Sequence, residues 1–282
     1  MHYIIMDLEW NVVYLDSAKM YINEIIEVGA IKLNENIEVI DSFNSFVKPI
    51  ASKKIRKSIR ELTQITMDNL VDAEKFKDVM RKFESWAGED FILLSWGDSD
   101  VRTLISNYKY FDKTRNIEFI KKYCDLQLYV QKQIKSKRGQ QLGLSNAAEC
   151  LGIDQDKYEH HRALQDSMLS AECLKKTFDK ERLDNFVRIC DKEFFERFAF
   201  RPYYIRDIDN KLINKNIFEC RCDVCKNPLK IVKPWKTINN SFRAVLYCKN
   251  CDRKITAIVR VRKLYDKVSY KKSLIDVDEN EV

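Results

Sequence analysis

An apolar segment at the start of the chain runs directly into two acidic residues. Residues 3–6 have the composition of a buried β-strand, and Asp7 and Glu9 follow with one leucine between them. Side chains two positions apart on a strand point to the same face, so both carboxylates project from one side of an apolar element. Clustered carboxylates repel each other and are the usual ligands of Mg²⁺ or Mn²⁺. The segment indicates a strand that ends in metal ligands, although a solvated strand end also explains the pair when it is considered alone.

The length and composition of the chain are those of a folded protein. It has 282 residues, of which 45% are hydrophobic, with only four prolines and six glycines. This composition excludes a fibrous or disordered chain and suffices for one sizeable core plus a smaller one. No apolar segment approaches the roughly 18 residues that span a membrane, and Asp7 lies where the apolar core of a signal peptide would be. We therefore expect a soluble, cytoplasmic protein.

The net charge of +7 is unevenly distributed along the chain. Residues 214–272 contain 16 Lys and Arg against four Asp and Glu, whereas residues 1–213 contain 34 basic and 35 acidic residues. The last ten residues carry four acids. A concentrated positive segment is typical of a protein that binds a polyanion, although basic patches also occur on ordinary solvated surfaces.

Hydrophobic spacing predicts strands early in the chain and helices later. After the first strand, strands are expected at 25–33, 37–47 and 91–94, and helices at 53–62, 73–86, 101–108, 126–134, 145–151 and 163–178. This order favours an α/β fold in which helices cover a mixed sheet. Residues 179–213 are charged and aromatic, and we interpret them as a helix plus connector. Their aromatic rings either pack in the core or stack nucleobases.

Two of the three histidines, His160 and His161, stand shortly before Asp166. If His161 and Asp166 shared one regular helix, five steps would place them roughly 140° apart. They face one centre only if His161 lies in the loop or first turn before the helix that carries Asp166. That arrangement suits a mobile general base beside a fixed metal ligand, whereas an isolated histidine is more commonly structural or exposed. His160 is one residue out of register, and we interpret it as a bystander.

These strings, in this order, resemble the DEDDh branch of the 3′→5′ exonuclease superfamily, which includes ribonuclease T and the proofreading subunit of the bacterial replicative polymerase. The matching features are Asp7-x-Glu9 after a first strand, an acid near residue 100, and His161-x4-Asp166 at a late helix. Two further strings fit, at 23–30 and 62–66. The resemblance covers residues 1–178 and implies a ribonuclease H-like α/β fold, a mixed sheet flanked by helices.

The chain departs from that family at two points. Trp10 stands where many members have Thr or Ser, and the second motif reads Trp96-Gly97-Asp98-Ser99-Asp100 instead of His-Asn-x-x-x-Asp. The Trp-Gly variant is similar to the branch of histone-mRNA 3′ exonucleases and of bacterial relatives described as sporulation-kinase-pathway inhibitors. Alignment of the last acid of the motif favours Asp100 as the functional residue, with Asp98 as the competing candidate.

The resemblance also implies a metal-dependent reaction. Asp7, Glu9, Asp100 and Asp166 would bind two Mg²⁺ or Mn²⁺ ions, and His161 would take the proton from the attacking water. The implied activity is 3′→5′ hydrolysis of phosphodiester bonds in single-stranded nucleic acid, with RNA favoured over DNA. The alternatives are a DNA-directed exonuclease and a regulatory protein-binding scaffold that uses the same fold.

Four of the nine cysteines form two Cys-x2-Cys pairs, Cys222 with Cys225 and Cys248 with Cys251, separated by 22 residues. Each pair bends a tight turn around one metal, and the two pairs complete a tetrahedral site for which zinc is the default ion. We expect a structural Zn²⁺ in a small β module similar to a zinc ribbon. Two unrelated buried or redox-active pairs are the alternative, and Cys220 is a spare ligand.

Basic side chains and aromatic rings surround these cysteines. Lys and Arg side chains bind phosphates, while Trp235, Phe242 and Tyr247 are candidates for stacking on bases. The module is therefore expected to help bind the nucleic acid, with docking of a protein partner as the alternative. These inferences divide the chain into an exonuclease domain at 1–178, a connector at 179–213, a basic zinc-ribbon-like domain at 214–272 and an acidic tail at 273–282.

Overall fold

A computed structural model describes residues 1–112, 117–134, 141–158 and 161–277 of the chain. The chain divides into two compact units, Met1–Ala199 and Phe200–Val282. The first unit is built on a seven-stranded sheet and the second on a five-stranded sheet. Among the described helices, none is both long and apolar enough to cross a bilayer.

The sheet of the first unit is mixed, which confirms the predicted fold class. Its strands lie in the order β4-β3-β2-β1-β5-β6-β7. Strands β1 to β3 are antiparallel neighbours, β5 runs parallel to β1, and β6 runs parallel to β5. The bounds are β1 (His2–Leu15), β2 (Met20–Leu33), β3 (Val39–Lys48), β4 (Glu74–Lys75), β5 (Phe91–Ser95), β6 (Lys122–Asp125) and β7 (Val187–Ile189).

Helices cover both faces of this sheet. They are α1 (Lys57–Thr63), α2 (Met67–Leu70), α3 (Phe76–Ala87), α4 (Ser99–Phe111), α5 (Leu126–Gln133), α6 (Leu144–Cys150), α7 (Ala163–Thr177), α8 (Lys180–Asp184) and α9 (Lys192–Ala199). The side chains of β1 alternate between two cores. Ile4, Met6 and Leu8 pack with residues of α3 and α4, whereas Tyr3 and Ile5 pack with residues of α5, α6 and α7.

Strands β1 and β2 form a hairpin of 14 residues per strand, longer than the sequence predicts. Its ladder shifts register between Glu9 and Trp10, a β-bulge that interrupts regular pairing. The side chain of Asn107 from α4 forms hydrogen bonds with the backbone of β2 next to this bulge. Its side-chain oxygen accepts a hydrogen bond from the backbone nitrogen of Ile25 at 3.1 Å, and its side-chain nitrogen donates to the carbonyl of Asn23 at 2.7 Å. The bulge therefore lies directly beside the second acid of the strand.

Part of the predicted connector belongs to the first unit. Strand β7 pairs with β6 and closes one edge of the sheet. Phe194 and Phe198 of α9 are buried, stack on each other at 4.4 Å between ring centroids, and contact the ring of Tyr123. These two rings pack in the core, as one of the two interpretations expects. The compact unit extends to Ala199, because aromatic residues in a charged segment complete its core.

The second unit contains β8 (Tyr203–Tyr204), β9 (Lys230–Ile238), β10 (Ser241–Cys248), β11 (Arg253–Lys263) and β12 (Val268–Asp276). The strand order is β12-β11-β10-β9, and β8 pairs with the last residues of β11. Strand β12 continues past residue 273, where the sequence analysis begins an acidic tail, because Leu274 packs against the buried Ala257 and Leu246. The remainder of that tail, 278–282, lies outside the described residues.

Helix α7 approaches β2 at Gly29 without an intervening side chain. A Cβ atom at Gly29 would lie 2.1 Å from the backbone nitrogen of Leu164 and 2.2 Å from the carbonyl carbon of Ala163. Ser167, one turn further along α7, donates a hydrogen bond from its hydroxyl to the carbonyl of Gly29 at 3.1 Å. The backbone of Gly29 is not left-handed. This glycine is therefore required for space and not for conformational freedom.

We expect Gly29→Ala to lower the free energy of unfolding by about 3 kcal/mol, because helix α7 must move away from the sheet to admit the methyl group. Gly143→Ala is the matched control, since a Cβ at Gly143 meets no atom within 4 Å. That control should cost less than about 1 kcal/mol, the range of a changed helix N-cap. Urea denaturation of both variants measures the difference, and equal stabilities would contradict the close approach of α7 to β2.

Candidate active site and cysteine cluster

Three of the predicted ligands meet at the point where β1 leaves its regular ladder. Asp7 and Glu9 lie opposite Gly29 and Glu27 of β2. Asp166 lies in the first turn of α7, the helix that rests on Gly29. One carboxylate oxygen from each of Asp7, Glu9 and Asp166 lies within 4.8 Å of the others. Residues far apart in the chain therefore form one compact group of oxygen ligands.

Asp100 lies beside this group, whereas Asp98 does not face it. Asp100 is in the first turn of α4 and is 4% exposed. Its Oδ1 accepts a hydrogen bond from the backbone nitrogen of Leu8 at 3.1 Å, between the two acids of β1. The side chain of Asp98 is 44% exposed and accepts hydrogen bonds from Arg102 at 2.8 and 2.9 Å. Asp98 is thus engaged in a surface ion pair.

A buried ion pair fixes the start of α7 on the sheet. Glu27 is 1% exposed, and its two carboxylate oxygens accept hydrogen bonds from Arg162 at 2.7 and 3.2 Å. The backbone nitrogen of Ala163 donates to the same carboxylate at 3.3 Å. Because a buried carboxylate requires such partners, Glu27 and Arg162 hold the segment that carries Asp166. The sequence does not predict that Glu27 and Arg162 hold this segment, although an acid inside the apolar segment 23–30 is a signal of a buried ion partner.

His161 lies in the loop before α7, where the sequence analysis places it. It precedes Arg162, the N-cap residue of the helix, and its side chain is exposed. Its backbone is left-handed, with φ of 62°. A non-glycine residue in that region marks a sharp change of chain direction. His160 lies outside the described residues.

Burial and mutual repulsion raise the pKa values of these carboxyl groups. Desolvation, and then the charges of Asp166, Glu27 and Asp100, raise the pKa of Glu9 to about 8. Desolvation, and then the charge of Asp100, also raises the pKa of Asp7 well above its ordinary value. For Asp100, desolvation outweighs the hydrogen bond from Leu8, and its pKa rises to about 7. A group of acids that resist ionisation suits divalent cations, which neutralise the anions that burial penalises.

The four cysteines of the second predicted metal site also lie close together. The Sγ atoms of Cys222, Cys225, Cys248 and Cys251 all lie within 4.8 Å of one another. The Cys225–Cys248 separation is 3.4 Å and the Cys222–Cys251 separation is 3.9 Å. Tetrahedral zinc with Zn–S bonds of about 2.3 Å requires sulfurs about 3.8 Å apart. The four thiols therefore fit a zinc ion.

Both cysteine pairs lie on turns of the same shape. A left-handed residue follows the second cysteine of each pair, Lys226 with φ of 61° and Asp252 with φ of 49°. A hydrogen bond from the backbone of Asn227 lowers the pKa of Cys225 to about 6, which favours the thiolate that binds metals. Cys220 is not part of the group. Its buried thiol donates to the carbonyl of Phe218 at 3.6 Å.

The first unit has a ribonuclease H-like fold, with a group of carboxylates beside its first strand. The model of the RNase T family, described as exonucleases, matches residues 4–174, and the chain belongs to this family. This membership confirms the predicted enzyme class.

Curated relatives include PolC-type DNA polymerase III. The Thermotoga petrophila protein is 22% identical over 207 residues, which are 72% of this chain and 14% of that polymerase. The Clostridium perfringens protein is 31% identical over 158 residues, 56% of this chain and 10% of the relative. The match therefore spans only a small part of the length of these polymerases.

Solved structures support the fold. The nuclease domain of 3′hExo, a DEDDh family member bound to rAMP, has a TM-score of 0.55 at 24% identity over 68% of this chain and 96% of its own. A 3′-exonuclease in a structure of histone mRNA stem-loop recognition has a TM-score of 0.55 at 22% identity, covering 67% of this chain and 66% of that one. An exonuclease I structure has a TM-score of 0.51 at 14% identity over 92% of this chain and 55% of its own.

The raised pKa of Glu9 predicts that metal-free Glu9→Gln protein is more stable than the parent at high pH. Because this pKa rises from 4.5 to about 8 on folding, the folded chain binds more protons than the unfolded chain in that window. The contribution of Glu9 to stability is thus greatest below pH 4.5 and is lost as pH rises towards 8. Glutamine removes the charge, so the free energy of unfolding of Glu9→Gln near pH 8 should exceed that of the parent by about 2 kcal/mol.

Thermal denaturation in EDTA at about pH 5 and about pH 8 measures this effect, because Glu9 is protonated in the folded parent at the lower pH. The gain should be confined to the higher pH. An equal difference at both values would contradict repulsion within the carboxylate group.

The cysteine geometry predicts different effects for two buried thiols. Cys248→Ser should abolish stoichiometric zinc binding and expose the second unit to proteolysis, since a small β module depends on its metal for folding. Cys220→Ser is the matched control and should keep one zinc per chain, because its sulfur lies outside the group of four. Atomic absorption on purified proteins measures the metal content. Loss of zinc in the Cys220→Ser protein would contradict the assignment of zinc binding to the other four cysteines.

Proposed function

We propose that the chain removes nucleotides from the 3′ ends of single-stranded nucleic acid, with RNA preferred over DNA, and that two Mg²⁺ or Mn²⁺ ions assist the reaction. The observation that carries this proposal is the group formed by Asp7, Glu9 and Asp166, whose oxygens lie within 4.8 Å of one another. We assign the catalytic region to the segment predicted from the sequence, residues 1–178.

Each acid has a proposed role that follows from its position. Asp7, Glu9, Asp100 and Asp166 would hold the ions, whose charge activates a water and stabilises the departing oxygen when they are bound. His161 would take the proton from that water, since its loop position leaves the side chain exposed beside the first turn of α7. The burial of Asp100 against Leu8 supports Asp100 over Asp98 as the fourth ligand.

The similarity of this chain to two solved structures supports RNA as the preferred substrate. One similar structure concerns recognition of a histone mRNA stem-loop, and another has rAMP bound to a nuclease domain. The Trp96-Gly97 motif resembles the branch of histone-mRNA exonucleases. In this chain the motif forms a turn: Gly97 is left-handed, and its carbonyl accepts hydrogen bonds from the hydroxyls of Ser95 and Tyr123, both at 2.7 Å. The turn leads directly into the helix that carries Asp100.

We also propose that the basic second unit is a zinc-ribbon-like module that helps to bind the strand. The four-thiol group and the positive charge of residues 214–272 support this role. A cytoplasmic location is proposed with it, because zinc thiolates persist where cysteines remain reduced.

Asp100→Asn and Asp98→Asn form a matched pair that tests the catalytic proposal. We expect Asp100→Asn to reduce exonuclease activity by about 10³-fold or more, because one ligand of the metal pair is lost. Asp98→Asn should retain activity within a few-fold, since it removes only a surface ion pair with Arg102. Circular dichroism checks that both variants are folded.

The assay follows shortening of 5′-labelled single-stranded RNA and DNA of one sequence in Mg²⁺, Mn²⁺ or EDTA. Faster, metal-dependent 3′ shortening of RNA is the expected result. DNA degraded as fast as RNA would refute the preference. No metal-dependent degradation of either polymer would refute the activity and favour a scaffold role.

A further inference from the structure

Backbone alternation divides the sheet of the second unit into two faces. On β10, the side chains of Phe242, Ala244, Leu246 and Cys248 are buried on one face. The other residues of β10 point to the opposite face, and the strand registers extend that face across β9, β11 and β12. We name this second surface the outer basic face. Its charged residues include Lys236, Arg243, Lys254, Arg260, Arg262 and Lys271.

Like charges lie directly opposite each other on the outer basic face. Lys236 is the cross-strand partner of Arg243, and Arg260 is the partner of Lys271. Directly opposed like charges destabilise a sheet. Two such pairs on one face indicate that the surface is adapted to an anionic partner that neutralises them.

The strands that build this face contain no compensating acids. The sequences of β9, β10 and β11 lack Asp and Glu entirely. On β12, Asp276 pairs with Arg253, whose neighbour across the ladder is the inward-facing Cys248. The positive charge is therefore concentrated on the outer face and not balanced within these strands.

An aromatic ring borders the cations at the end of β11. Tyr204 of β8 is the cross-strand partner of Arg262, and the guanidinium carbon lies 5.8 Å from the ring centroid. Tyr204 is 39% exposed. A ring held beside a cation gives a nucleobase a surface on which to stack, while the cation binds the adjoining phosphate.

We propose that the outer basic face is an anchoring site for the phosphate backbone of single-stranded nucleic acid, separate from the carboxylates that perform hydrolysis. This inference rests on the proposed function, because it assumes that the chain degrades such strands. Anchoring makes affinity depend on strand length, because a longer strand presents more phosphates to the cations of the sheet.

A nucleic acid fits this face better than an acidic protein or a lipid surface. Neighbouring strands lie about 4.8 Å apart and alternate residues about 7 Å apart, so the cations form a repeating grid. A chain of regularly spaced phosphates matches such a grid, and the enzyme acts on that class of polymer. Tyr204 adds a stacking surface that a lipid headgroup does not use.

The test compares two double variants of the full chain. Arg260→Gln/Lys271→Gln removes one opposed pair of the face. Lys211→Gln/Lys267→Gln is the matched control, since both lysines are exposed, belong to the same unit and lie outside strands β8 to β12. Fluorescence anisotropy without added Mg²⁺ or Mn²⁺ measures binding to labelled oligouridylate of about 30 and about 5 nucleotides, between about 50 and 200 mM salt. No chelator is added, because it would remove the zinc of the second unit.

The face variant should bind the longer strand about tenfold more weakly, and the slope of log affinity against log salt should fall by about 1.4, or 0.7 for each lost phosphate contact. Its melting temperature should not fall, because a repulsive pair is removed. The control should bind within about twofold of the parent.

Equal loss of affinity in both variants would overturn the proposal, because it would reflect net charge alone. Unchanged binding of the longer strand, with weakened binding of anionic vesicles or an acidic peptide, would overturn it in favour of another partner. Since the proposed hydrolysis requires Mg²⁺ or Mn²⁺, which are left out, this result is independent of catalysis. A chain that binds through the face but degrades nothing would refute the proposed function and leave the anchoring site intact.

Discussion

The docking of helix α7 on strand β2 is the contact on which the active site depends. Gly29 leaves room for the helix backbone, and the ion pair between Glu27 and Arg162 holds its first turn. Without this contact Asp166 would not reach the acids of β1, since nothing in the local sequence connects them. The ion pair is bidentate and its carboxylate is buried, so loss of Arg162 would leave an uncompensated buried charge on Glu27. A single helix position thus determines whether three carboxylates can act together.

The same arrangement brings mutually repelling carboxylates together, which lowers the stability of the fold. Asp166 and Asp100, which α7 and α4 bring to β1, raise the pKa values of Asp7 and Glu9, because burial leaves little solvent to screen the charges. The structure offsets this repulsion through backbone contacts, such as the hydrogen bond from Leu8 to Asp100. The carboxylate group is therefore less stable than an apolar core would be, and the proposed divalent cations would offset that cost when bound.

Much of this architecture is encoded in short patterns of the sequence. The acids after the first strand, the late helix with Asp166 and the spacing of the cysteines each depend on local periodicity, and the structure has all three. The long hairpin, its bulge and the support from Asn107 depend on pairing between distant segments, which local periodicity does not contain. The end of strand β12 is not predicted, because the residues after Lys272 resemble a charged tail, although Leu274 packs against the core. Glu27 lies within a predicted strand, but its partner is identifiable only once α7 is placed.

The distribution of charge follows from the chemistry of the two sites. Without bound cations a group of carboxylates repels phosphates, so in the proposed function other residues attract the polymer. Residues 1–213 are almost neutral in total, whereas residues 214–272 contain 16 basic and four acidic residues. Opposed like charges destabilise an isolated sheet, yet they are present as pairs on one face of the second unit. Separation of the two tasks explains both features, because attraction of the polyanion requires cations in excess and its hydrolysis requires anions that bind metals.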